Sequence, residues 1–203
     1  MKKLLYGVGH NNADYVVEPW INGKKQPCPY YRTWARIFAR CYSIPTQRNS
    51  PYYKGCTVDE RWHYFMDFKQ WCIDQGMTSP DHFKNMQLDK DIIFPGNKHY
   101  GPDTCVFVSS SLNKLLTHKK KSRGSCPVGV SFYNHHKKFV AEINYNNTRK
   151  KIGYFNDPHT AYLAYKEFKL KAIQDQIDTH HDLRIKQGLE RHKQLLIDDT
   201  TGY

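Results

Sequence analysis

The sequence predicts an α+β protein, and three observations carry that reading. Two segments place aromatic side chains at helical spacing, two short apolar runs flank a loop rich in Gly, Pro and Asn, and three alternating runs precede a capped apolar stripe. With 203 residues, 39% hydrophobic and 14% aromatic, the chain can fold as one large domain or two small ones and bury a core.

Residues 1–29, with Gly, Asn and Pro around "DYVV", read as an irregular N-terminal arm with one short strand. "YYRTWARIFARCYS" sets Tyr30, Trp34, Ile37, Phe38 and Cys41 on one face of a helix. A Pro/Ser/Asn loop at 44–51 follows. "WHYFMDFKQWCIDQG" then repeats the pattern with Trp62, Phe65, Phe68, Trp71 and Cys72, and Gly76 suits its end. "MQLDKDII" and "CVFVS" read as an antiparallel hairpin with a long connection through Pro95, Gly96, Asn97, Gly101 and Pro102. Ser109 or Ser110 can cap the helix that follows. "PVGVSFY", "KKFVAEINY" and "RKKIGYF" are three strands joined by the polar turns "NHH" and "NNT". Asp157 as N-cap and Pro158 in the first turn open a helix whose Ala161, Ala164, Tyr165, Phe168 and Ala172 would cover the sheet. Residues 176–203 read as a helical C-terminal extension of one or two helices, interrupted at Gly188, with His180 and His181 on its surface.

Charge narrows the partner. The formal net charge is +12, and residues 114–151 hold ten basic side chains against the single acid Glu142. Runs of charge are usually solvated surface, but here they flank strands and mix with Tyr and His, which favours nucleic acid. No apolar run reaches membrane-spanning length and the first residues lack a signal-peptide core, so a cytoplasmic protein with no membrane partner is expected. The six cysteines stand singly, with no C-x-x-C pair; they read as free thiols, and a structural Zn²⁺ gathered from Cys28, Cys41, Cys56 and Cys72 is not expected.

Strand–loop–strand–helix can bring the end of its first strand beside its helix, so Asp89 and Asn113 can meet and share a hard cation, Mg²⁺ or Mn²⁺. An aspartate closing a strand and an asparagine anchoring a loop are also ordinary structural choices.

Residues 30–113 resemble the HNH endonucleases of the phage homing class, through "RCY" at 40–42, "YKGCTVDERWHYF" at 53–65 and "LDKD" at 88–91. The resemblance implies a ββα-metal finger with flanking helices. Asp89 takes the metal-ligand position, Lys90 that of the histidine base, Thr104 the middle position and Asn113 the helical metal ligand. A protonated lysine cannot accept a proton, though beside a bound phosphate it would stabilise negative charge. His99, His82 and Asp91 are the alternatives for the base, and Asn97 for the middle position.

Residues 127–175 resemble the AP2 DNA-binding domain, through "GV" at 129–130, "FVAEI" at 139–143, "IGYF" at 152–155 and "AYLAY" at 161–165. That implies a three-stranded antiparallel sheet packed on one helix, with Ser131, Tyr133, Glu142, Asn144, Arg149 and Lys151 facing the DNA groove and Lys137 and Lys138 beside them. Arg149 and Lys151 suit phosphate or guanine, Asn144 adenine, and Glu142 cytosine or a neighbouring basic group. Ser131, Tyr133 and Lys151 stand where plant members often carry Arg or Trp, so the base preference should differ.

The expected organisation is an arm at 1–29, an HNH-like module at 30–118, a basic linker at 119–126, an AP2-like domain at 127–175 and the extension at 176–203. The expected function is sequence-directed, divalent-metal-dependent cutting or nicking of double-stranded DNA by a monomer with no small-molecule cofactor. The alternative is a non-catalytic DNA-binding protein that keeps the finger as scaffold; an RNA-binding role suits the charge but not the sheet.

Overall fold

The computed structural model describes residues 3–117 and 125–202. The expected linker lies mostly outside them, including Lys119, Lys120, Lys121 and Arg123. Helices and small sheets alternate along the chain, which makes the fold α+β. Two compact units divide it, Met1–Phe107 and Val108–Tyr203.

The first unit opens with an arm in which β1 (Trp20–Ile21) pairs with β2 (Lys24–Lys25), antiparallel about Asn22 and Gly23. Both turn residues have positive φ, 52° and 71°, the backbone that an Asn-Gly hairpin supplies. "DYVV" is not the strand; Val17, with Ala13, is buried in the core and ties the arm down. Helix α1 (Pro29–Tyr42) buries Tyr30, Trp34, Ile37, Phe38 and Cys41, the stripe read from the sequence. Where a loop was expected, α2 (Ile44–Asn49) forms. Ser43 Oγ accepts from Thr46 N at 3.3 Å, and Pro45 lies in the first turn, where its missing N–H costs nothing. Gln47 Nε2 donates to the Cys41 carbonyl at 2.6 Å, completing the end of α1.

Strand β3 (Thr57–Val58) precedes a 3-10 turn at Glu60–Trp62, so Trp62 stands outside α3 (Phe65–Asp74) although it shares the core. Gly76 follows α3 with φ 82°. Trp34, Trp62, Phe38, Phe65 and Phe68 are the buried centre, and Trp34 Nε1 donates to the Trp62 carbonyl at 2.7 Å, so the indole nitrogen is not left unsatisfied. Gly9 lies against this cluster; a Cβ there would come within 2.8 Å of the Trp34 ring.

A short helix, α4 (His82–Asn85), leads into β4 (Met86–Asp89), which forms a two-stranded sheet with β6 (Val106–Ser109). The first strand ends at Asp89 rather than running on to Ile93, because the Asp89 carboxylate turns the chain. Between these strands β5 (His99–Tyr100) pairs in parallel with β3, Thr57 beside His99 and Val58 beside Tyr100.

The second unit begins inside the expected finger. Helix α5 (Ser110–Leu116) is capped by Ser109, whose Oγ accepts from Leu112 N at 3.1 Å. Leu112, Leu115 and Leu116 are buried, and α5 packs beside β8 (Lys138–Tyr145) and α6 (Pro158–Thr179), so this helix belongs with the sheet that follows it. Strand β7 (Val130–Tyr133), β8 and β9 (Thr148–Phe155) form an antiparallel sheet in that order. Asp157 Oδ1 accepts from Thr160 N at 2.8 Å to cap α6. Gly129, with φ 73°, lets the chain pass over the Tyr165 ring, where a Cβ would overlap the ring atoms.

Helix α6 continues to Thr179, past the expected domain end at 175. After it α7 (Leu183–Asp198) runs unbroken through Gly188, which is buried with Ile185, Leu189 and Leu196 where α7 packs on α6. Lys166 Nζ donates to the Ile197 and Asp199 carbonyls at 2.8 and 2.7 Å, and Val128 N donates to the Gly202 carbonyl at 2.8 Å. The extension is thereby fixed to the sheet domain.

Candidate functional site

Each polar residue around the end of β4 has a local partner. Asp89 Oδ1 accepts from the backbone N–H groups of Asp91 and Ile92 at 2.7 and 2.9 Å, an Asx-type turn. Burial of the carboxyl raises its pKa above the usual range, against the pull of those two donors. Lys90, in the base position, is 2% exposed. Its ammonium donates to both Asp91 oxygens at 2.7 and 2.8 Å and to the Asn97 carbonyl, and lies 4.8 Å from the centre of the Tyr52 ring. Three donors thus meet three acceptors.

Both alternatives for the middle position shape the loop. Asn97 Nδ2 donates to the carbonyls of Lys90 and His99 at 2.8 and 2.7 Å, so those two oxygens are no further apart than the sum of the two bonds. Thr104 Oγ1 donates to the same His99 carbonyl at 2.7 Å and accepts from Gly101 N at 3.1 Å.

These contacts set His99 at the start of β5 with its side chain 43% exposed. Its Nε2 lies 3.2 Å from Asp59 Oδ2, and its Nδ1 lies 2.9 Å from Thr57 Oγ1. Hydrogen bonds from Arg61, aided by His99, hold the Asp59 carboxyl well below the usual range even though burial opposes this. Arg61 grips it from Nε and Nη2, each at 2.8 Å, and also reaches Asp103 at 2.6 Å. Gly101 leaves room for the pair, because a Cβ there would lie 3.0 Å from Asp59 Cβ and 3.3 Å from His99 Nε2. The sequence reading found His99 but missed Asp59, Thr57 and Arg61. The strand pairing that joins them spans some forty residues and leaves no local signal. His82 opens α4 and is exposed.

Asp89 and Asn113 fall in different units. Asn113 lies mid-helix in α5, where its carbonyl accepts from Thr117 N and Oγ1 at 3.0 and 2.7 Å and its Oδ1 from Thr117 Oγ1 at 3.2 Å.

In the second unit the cross-strand register fixes which side chains share a face. Ser131 lies opposite Val140, Tyr133 opposite Lys138, Glu142 opposite Lys151 and Asn144 opposite Arg149. Alternation along β8 therefore puts Ser131, Tyr133, Lys138, Glu142, Asn144, Arg149 and Lys151 on one face. Val130, Ala141 and Ile143 on the other face are buried, and Tyr145 and Lys150 there contact the Phe168 ring of α6. Lys137 occupies the β7–β8 turn with φ 51°, off the face.

The register steps from Ala141–Gly153 to Glu142–Lys151, so Ile152 is an extra residue, a β-bulge. Without it Lys151 and Tyr154, three apart, would point to opposite sides. With it, Lys151 Nζ donates to Tyr154 OH at 2.7 Å. Tyr154 also meets Tyr133 and His136, with ring centres 6.1 and 5.5 Å away, and His136 meets His135 at 4.7 Å. This aromatic group beside the cations was missed in the sequence: a period of two assigns Tyr154 to the helix side, and "NHH" reads only as a turn. Arg149 pairs with Glu142, whose side chain is 19% exposed against 72% for the arginine, and Lys138 bonds Asn156.

The cysteines form no disulfide; Cys41, Cys56, Cys72 and Cys105 are buried, and burial raises their pKa values, to about 12 for Cys41 and Cys105. Among the described residues no three His, Cys, Asp or Glu side chains gather as a metal site, and no helix is long and apolar enough to cross a membrane. Compared with known proteins, the chain matches no family model, no curated protein and no solved structure.

Proposed function

We propose that this chain is a DNA endonuclease of the HNH type that binds double-stranded DNA through the open sheet face of its second unit and cuts or nicks it at the finger of its first. The observation that supports it best is the common face of Ser131, Tyr133, Glu142, Asn144, Arg149 and Lys151, the residues that the AP2 resemblance assigns to the groove. A twisted three-stranded sheet fits a major groove. Lys138, Arg149 and Lys151 supply cations to the phosphates, while Asn144, and Glu142 through Arg149, face the base edges. Tyr133 and Tyr154 give the face apolar surface beside those cations.

The carboxyl of Asp89, with one oxygen held by the turn and its charge disfavoured by burial, fits a neighbouring hard cation. Asp89 would hold it, and the bound ion would polarise the phosphodiester and neutralise charge on the leaving oxygen. Lys90 keeps the turn in place through Asp91 and the Asn97 carbonyl.

A nicking assay on phage-genome DNA with Mg²⁺ tests this reading: Asp89→Ala loses cleavage and keeps DNA binding. Equal behaviour of the wild type and this variant contradicts it. The commitment of all three Lys90 donors favours a second reading, a non-catalytic DNA-binding protein with the finger as scaffold. That reading expects binding without cleavage.

A further inference from the structure

We propose that His99 is the general base of the cleavage step and that Asp59, clamped by Arg61, is the positioning residue that fixes its proton on Nε2; this rests on the endonuclease reading above. The Asp59 carboxylate can only accept, so the 3.2 Å contact requires a proton on His99 Nε2. In the neutral ring that a base requires, Nδ1 is then the lone-pair nitrogen, and the Thr57 hydroxyl at 2.9 Å is placed to donate to it. Two further features hold the arrangement. Arg61 fixes the carboxylate through three hydrogen bonds, from Nε and Nη2 at 2.8 Å and from its backbone N at 3.0 Å. The His99 carbonyl accepts from both Asn97 Nδ2 and Thr104 Oγ1, which sets the backbone from which the ring projects. A neutral imidazole with one nitrogen paired to a carboxylate and the other at the surface is the arrangement a general base needs. Lys90, the residue in the expected base position, is buried and fully paired.

The Thr57 hydroxyl marks the place of the attacking water. When that water replaces it, His99 Nδ1 takes one water proton as the oxygen bonds to phosphorus. The bond from phosphorus to the leaving sugar oxygen breaks, and that oxygen takes a proton from solvent. The imidazolium so formed is stabilised by Asp59 and later returns its extra proton to solvent, so the net reaction consumes one water.

The full chain with Mg²⁺ and duplex DNA provides the test. His99→Ala should lower single-turnover cleavage at least about 100-fold with DNA affinity unchanged, and free imidazole should restore part of it. Asp59→Asn keeps an oxygen for the Arg61 backbone N–H but turns an amide N–H toward Nε2. It should cut cleavage roughly tenfold and move the ring proton to Nδ1, read from the ¹⁵N shifts of His99. Cleavage by His99→Ala at the wild-type rate overturns the inference and leaves the endonuclease reading standing. A wild-type ring protonated on Nδ1 overturns it with no assay of activity. A wild type that binds DNA but never cleaves it removes the endonuclease reading and the base together.

Discussion

The loop after β4 in the first unit and the open sheet of the second both carry Lys, Asn and acidic side chains, but use them in opposite ways. In that loop, Lys90 bonds Asp91 and the Asn97 carbonyl, Asn97 bonds the Lys90 and His99 carbonyls, and Asp89 bonds two backbone N–H groups. On the sheet, Asn144, Arg149 and Lys151 are exposed, and only one acid, Glu142, stands among them. The same residue types build architecture where they are buried and paired, and stand open to solvent where they share the sheet face, the arrangement on which the proposed DNA binding rests. The buried Lys90 is thus a structural group, and if the proposed endonuclease reading holds, the more exposed His99 is the better candidate for chemistry.

This contrast can be broken from either side, and the tryptophans separate the results. All four, Trp20, Trp34, Trp62 and Trp71, lie in the first unit, so their fluorescence reports that unit while circular dichroism follows both. The largest effect is expected for Lys90→Met, which leaves the Asp91 carboxylate and the Asn97 carbonyl without their partner. We expect a loss of about 3 kcal/mol, at the low end for a buried pair because Asp91 is partly exposed. The tryptophan-detected urea midpoint checks it, and a change under about 0.5 kcal/mol would mean the ammonium is not structural.

Gly129→Ala is the matching change in the second unit. It forces an L-residue to φ 73° and a methyl into the Tyr165 ring, and should cost about 2 to 3 kcal/mol in the dichroism transition with the tryptophan transition unmoved. Asp89→Ala removes the acceptor for two backbone donors and should cost about 1 to 2 kcal/mol. Asp89→Asn keeps that acceptor and removes a buried charge, so it should match or exceed the wild type in the same urea experiment.

The smallest effect is on pH dependence. The folded-state pKa of Asp59 is depressed, so its pairing stabilises above the unfolded value, about 3.9, and that contribution is lost as pH falls through the lower folded value. The tryptophan-detected midpoint should decline below about pH 4, and more steeply in the wild type than in Asp59→Asn.

The period of 3.6 in α1 and α3 and the period of 2 in β8 were legible because each buries one face against a contiguous core. Asp157 and Ser109 could be read as caps because capping is local. Helix α2 was not legible because the Pro, Ser and Asn of 44–51 also spell a loop, and Ser43 and Gln47 in place distinguish the two. The Asn-Gly hairpin of the arm did carry a local signal, overlooked in favour of the β-branched run beside it. The Asp59–His99 pair was not legible, since it depends on β3 and β5 meeting, nor was the Lys151–Tyr154 contact, which depends on a one-residue bulge.

The central claim, that the sheet face carries the DNA, is tested most directly by the salt dependence of duplex binding, followed by fluorescence anisotropy. For the Arg149→Ala, Lys151→Ala double variant, weaker binding and a slope of log K against log salt reduced by about two, with the fold unchanged by circular dichroism, are the predicted result. A variant that binds as tightly as the wild type with the same slope would contradict it.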